Sequence, residues 1–153
     1  MKTLRNASDK DELLRRLGTL QQNTQRKWGK MTAHQMVCHV SDGFLVYMGE
    51  IKPDPAPGLL PGFVLKWVAL WAPIPWPHGF RTVPELDQQA KETPPVEFQK
   101  DTEKLRALIE QFAREEKDSR WASSHPHFGA MTITEWLRLA YLHTDHHLRQ
   151  FGC

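Results

Sequence analysis

The chain has only two cysteines in 153 residues, Cys38 and Cys153. One falls on a predicted helix and the other at the last position, so no disulfide framework can be drawn, and a cytoplasmic, reducing setting is the expectation. Neither sign of charge is in excess: 20 Lys and Arg face 18 Asp and Glu, for a net charge of +2. The basic residues are interleaved with acidic ones, as in KDELLRR and FAREEKD. This pattern lacks the clustered basic face that phosphate backbones require, and no nucleic-acid partner is expected. Long hydrophobic runs are missing too. The longest, residues 63–71, is broken by Lys66 and bounded by Pro61 and Pro73. It is far short of the roughly 20 residues a membrane span needs. The opening stretch MKTLRNASDKDELLRR has no apolar centre, so no secretory signal is expected there. Strand-like alternation of apolar and polar residues is also wanting.

What is present is helical periodicity. A length of 153 residues suggests a single domain, residues 1–153, with room for a real core. Four segments read as amphipathic helices. The first covers residues 9–22, with Leu13, Leu17 and Leu20 on one stripe and Ser8 as the expected cap. The second covers 32–50, the third 96–117 and the fourth 132–151. The second and fourth open alike, with GKMTAHQM and GAMTITEW. In each, the threonine can cap the helix and the Gln or Glu three residues later can reach back, forming a capping box.

Between the second and third helices the character changes. Ten of the eleven prolines fall between Pro53 and Pro95. Proline removes a backbone donor and breaks helices, so residues 51–95 read as an irregular insert. One short helix is expected within it, in PGFVLKWVALWAP, flanked by its prolines. It is apolar nearly all round, which suits a plug over one end of a bundle; a dimer interface or a substrate lid are the other readings. The architecture expected is an all-α four-helix bundle, with the proline-rich insert as a long crossover between helices 2 and 3.

The histidines are the chemistry-bearing residues. YLHTDHHLRQFG, residues 141–152, puts three of them into five positions. A helix turns about 100° per residue. With Trp136 set at zero, His143 lies at about −20° and His147 at about +20°, mid-stripe. His146 falls at the edge and Asp145 points away. Two inward imidazoles four residues apart can grip one ion from a single helix, as in zinc helices of the HExxH kind. Such a pair can equally be satisfied by hydrogen bonds across a bundle. The second helix adds weight to the metal reading. With Met36 at zero, His39 lies at about −60°, on the apolar face, whereas His34 falls at about 160°, on the far side, and reads as a solvated or boundary residue. Gly43 shares the face of His39 and costs the helix about 1 kcal/mol against alanine. Close helix packing is its expected use, with space for a ligand the alternative. Three imidazoles leave a fourth tetrahedral position open, as catalytic zinc sites do; nickel, iron or manganese would also accept the set.

WGKMTAHQMVCHVSD and HPHFGAMTITEWLRLAYLHTDHHLRQFG resemble the DinB-like superfamily of metal-dependent four-helix-bundle proteins, in a branch of uncharacterised function. The superfamily pattern has one histidine on the second helix. It then has His-x-x-x-His on the last bundle helix, with a glutamine three residues later. The matching positions here are His39, His143, His147 and Gln150. The resemblance covers the chain from the first helix to the C-terminus and is weakest in the insert. It implies one divalent ion on that histidine triad. It also points to relatives among thiol-dependent transferases and isomerases, in which a low-molecular-weight thiol meets the metal.

Two functional readings follow. The first is a metal-dependent enzyme acting on a small molecule, in which the ion activates a water or a low-molecular-weight thiol; zinc is the first choice of metal. The second is a non-catalytic metal-binding or stress-linked binding protein. A hydrolase would want a carboxylate base, for which Asp42 and Asp101 are the candidates, although both read more readily as surface residues. HPHFG, residues 125–129, reads as a turn, with His125 and His127 able to reach the site's mouth as the alternative. Trp121 and Phe128 are expected core anchors. Cys38 lies away from His39 on the wheel, and a role as a metal thiolate is not expected of it. The aromatics of the insert are compatible with a homodimer.

Overall fold

The computed structural model describes residues 1–54, 61–78, 93–114 and 121–153. Its elements are α1 (Ala7–Leu17), α2 (Ala33–Tyr47), α3 (Gly62–Trp71), α4 (Phe98–Arg114), β1 (Ser124–His125), β2 (Gly129–Ala130) and α5 (Ile133–Gln150). The four longer helices bundle: α2 packs on α4 and α5, and α1 packs on the same two. Leu13 and Leu17 of α1, Val37, Val40 and Phe44 of α2, Ile109 and Phe112 of α4, and Trp136 and Ala140 of α5 are buried at the centre. Each large side chain so buried contributes on the order of 1.5–3 kcal/mol.

The helix starts follow from local chemistry. Thr32 Oγ1 accepts from Gln35 N at 3.2 Å, and Gln35 Oε1 accepts from Thr32 N at 2.9 Å. Thr132 and Glu135 repeat this reciprocal pair at the start of α5, at 3.3 and 2.8 Å. Both capping boxes are as the sequence predicts. The first helix is shifted. Asn6, not Ser8, is its cap, with Oδ1 accepting from Ser8 N at 3.0 Å. It also stops at Leu17 rather than near Gln22, because Thr19 Oγ1 donates to the Arg16 carbonyl at 2.7 Å and Gly18 closes the end. α4 begins at Phe98, two residues later than expected, and the Val96 N–H just ahead of it donates to the Asp101 carboxylate at 3.2 Å.

HPHFG forms the turn of a two-stranded antiparallel hairpin, pairing Ser124 with Ala130 and His125 with Gly129. Gly129 has φ +71°, a left-handed conformation that glycine adopts without strain. α3 forms where the sequence predicts, but it is only half a plug. Leu70 is buried beside α5, whereas Phe63 and Trp67 remain 72% and 60% exposed. Of the crossover expected over residues 51–95, residues 55–60 and 79–92 lie outside the described residues. No helix among the described residues is long and apolar enough to cross a membrane.

Candidate metal centre

α2 and α5 face each other so that His39, His143 and His147 meet. One ring nitrogen of each lies within 4.8 Å of those of the other two. His39 Nε2 and His143 Nε2 are 3.1 Å apart. His39 and His147 are buried, and His143 is partly buried. The three histidines that the helix wheel turns inward are thus brought together.

Both triad imidazoles of α5 are held by their other nitrogen. Tyr47 Oη lies 2.9 Å from His143 Nδ1, and Gln150 Oε1 lies 2.9 Å from His147 Nδ1. Gln150 is itself fixed, because its Nε2 donates to the Trp28 carbonyl at 2.8 Å. That chain of bonds sets the tautomer. Gln150 Oε1 can only accept, so His147 carries its proton on Nδ1 and presents a bare Nε2 lone pair. Partners of this kind orient metal-binding histidines and raise their basicity. The loop before α2 makes the approach possible. Gly29 has φ +79°, and a Cβ there would stand 2.4 Å from Gln150 Nε2.

Gly43 acts through close packing. A Cβ there would lie 3.1 Å from His143 Cε1 and 3.2 Å from its Nδ1. The absence of a side chain lets the α5 imidazole seat against α2. Burial pulls both His143 and His147 well below the ordinary imidazole value, and the neighbouring histidines pull them further. Both are therefore neutral near pH 7, the form that ligates metals. Tyr47 is fully enclosed, and burial raises its phenol so that it stays protonated.

A group suited to these residues must accept nitrogen lone pairs. Two donors about 2.0–2.1 Å from one ion sit roughly 3 Å apart, which matches the spacing of His39 and His143. The residues present thus fit a divalent ion.

The other candidates sort differently. His146 has its ring 5.2 Å from that of His147 and lies among Trp28, Trp76 and His78, outside the triad. Asp145 turns away to Arg16 of α1, at 2.6 Å. Asp42 is not a surface residue. It is 1% exposed and accepts from Thr93 N and Oγ1 at 2.9 and 2.8 Å. His34 is not solvated: it is 8% exposed, with Nε2 2.7 Å from Asp101 Oδ2. Cys38 faces the same carboxylate, well apart from the triad, and burial pushes its thiol up to about 12, with Asp101 and Asp42 adding to the shift. His125 is half-buried at the end of β1, beside the turn. Its Nδ1 accepts from His127 N at 3.2 Å, its ring stacks on Phe128 at 4.2 Å, and burial lowers its pKa to about 3. Phe128 is buried, and Trp121 stacks on Phe112 at 4.2 Å, so both anchor the core as expected. Tyr47 and the Trp28 carbonyl were not singled out from the sequence. Tyr47 does share the apolar face of α2 with Gly43, and that was the available signal.

Comparison with curated proteins and with solved structures returns no match. The family model of the DinB superfamily matches residues 3–151, nearly the whole chain and all three histidines. The chain belongs to the DinB superfamily.

Proposed function

We propose that the protein is a metal-dependent enzyme whose single catalytic ion, zinc first among the candidates, is held by His39, His143 and His147. The observation that carries this reading is the convergence of three imidazole nitrogens within 4.8 Å, two of them on rings held by Tyr47 and Gln150. Membership of the superfamily supports it. When bound, a divalent ion supplies Lewis acidity, which lowers the pKa of a coordinated water or thiol. The chain's own part is to present neutral lone pairs and to hold their geometry. Three neutral imidazoles leave the ion's double positive charge uncompensated, so the site favours an anionic partner in the remaining position.

Of the two activations, that of a low-molecular-weight thiol is the better supported. A hydrolytic water wants a nearby carboxylate base. Asp42 is engaged by Thr93, and Asp101 by His34 and Val96. A thiol loses its proton far more readily than water and needs no such base.

The test is metal analysis of protein purified without a nickel column. Metal is expected in the wild type, and the double variant His143→Ala/His147→Ala should lose one equivalent. Addition of a small thiol should then perturb the spectrum of cobalt-substituted wild type but leave that of the variant unchanged. A wild type that folds stably and takes up no metal at the triad would overturn the reading.

A further inference from the structure

The flank of α2 opposite the triad carries a second group of donors. His34 and Cys38 lie one turn apart on α2, and Asp101 reaches them from the first turn of α4. One ligand atom from each lies within 4.8 Å of the other two. His34 and Cys38 are buried and Asp101 is partly buried. We propose that His34, Cys38 and Asp101 form a second, structural site for a borderline-soft divalent ion, zinc above all, that clips α2 to α4.

The donor set selects the ion. One nitrogen, one sulfur and one carboxylate oxygen suit zinc, which accepts all three. Calcium and magnesium want oxygen alone. Copper(I) wants more soft donors than one thiol supplies. The spacing is suitable: His34 Nε2 lies 2.7 Å, and Cys38 Sγ 3.8 Å, from Asp101 Oδ2. Donors bound about 2.0–2.3 Å from one ion stand roughly 3–4 Å apart, so the two pairs that share Asp101 need shifts of only a few tenths of an ångström. Asp101 Oδ2 also accepts from the Val96 N–H at 3.2 Å, and the His34 ring is braced edge-on by Phe98, with centroids 5.5 Å apart.

Three protein ligands leave a fourth position here as they do at the triad; what sets this site apart is its two anionic ligands and its place between α2 and α4. As the sulfur–metal bond forms, the thiol gives its proton to solvent. The thiolate and the carboxylate then cancel the ion's two positive charges. A neutral cluster in a helix interface carries little desolvation penalty and has no need of an anionic substrate. The remaining position is left to a water.

Cobalt(II) distinguishes the two sites, because only a thiolate ligand gives an intense sulfur-to-cobalt charge-transfer band in the near ultraviolet. Metal-free wild type titrated with cobalt should take up two equivalents and develop that band. The variant His143→Ala/His147→Ala should keep the band and one equivalent. Cys38→Ser should lose the band while retaining the equivalent held by the triad, and Asp101→Asn should weaken binding at this site by at least tenfold. Zinc should raise the melting temperature of the triad variant. Absence of the thiolate band from folded wild type would overturn the proposal whatever the variants do, and would leave His34 and Asp101 as a hydrogen-bonded staple. Loss of the band in the triad variant, provided circular dichroism shows it folded, would also overturn it.

Discussion

At the scale of single residues, the candidate metal centre depends on what is missing as much as on what is there. Gly43 removes the Cβ that would press on His143, and Gly29 removes the one that would strike Gln150. The two glycines are not equivalent. Gly29 needs its left-handed φ, whereas Gly43 lies inside α2 and pays a helix-propensity cost of about 1 kcal/mol for its missing methyl. Gly43→Ala should therefore separate two properties. The metal-free variant should melt within a few degrees of wild type, because gained propensity offsets the crowding. Its metal affinity should fall about tenfold as the His143 ring is displaced, a size typical of disturbed ligand orientation. Calorimetric titration with zinc checks the second value and thermal melting the first. Unchanged affinity would mean that the ring yields without cost.

At the scale of elements, the two capping boxes fix where α2 and α5 begin, and so which residues face one another across the bundle. Thr32→Ala and Thr132→Ala should each destabilise the protein by about 1 kcal/mol. For a chain of this size, that lowers the melting temperature by about 2–4 °C, which differential scanning calorimetry would measure. These starts were legible in the sequence because a cap is local chemistry, written within four residues. The facing of His39, His143 and His147 was legible because helix pitch converts spacing into direction. His34 and Asp42 were misplaced for a related reason. A helical wheel with one inward face assumes that the other face meets water, yet only Gln35 and Leu45 of the fifteen residues of α2 escape full burial. The far side of α2 is covered by α4, so what read as solvated is an interior of its own. Gln150 was legible as well, three residues after His147 on one helix, whereas Tyr47 against His143 and the Trp28 carbonyl behind Gln150 join positions 96 and 122 residues apart, which no local pattern encodes.

At the scale of the whole molecule, burial of neutral imidazoles ties stability to pH. His125, His143 and His147 all have their pKa lowered in the folded chain, first by burial. Unfolded, each titrates near 6.5. Below that pH the unfolded chain binds protons that the folded chain does not, so acid favours unfolding. The stabilisation is present above about 6.5 and is lost as pH falls toward the folded values, about 3 for His125. Each group can contribute a slope of up to about 1.4 kcal/mol per pH unit. The melting temperature of metal-free protein should therefore drop between about pH 7 and 5.5, where the carboxylates are still ionised. A flat profile across that interval would contradict neutral burial. Bound metal should raise the curve without flattening it, because the ligated imidazoles take up no protons while those of the unfolded chain still do.

Cys38 and His39 are consecutive residues that look to opposite flanks of α2, one toward Asp101 and the other toward His143. A slip of α2 by one position would turn both by about 100°. Neither set of donors could survive it, so the register of a single helix is a shared point of failure. An error that spared the hydrophobic core would still be exposed at two places at once.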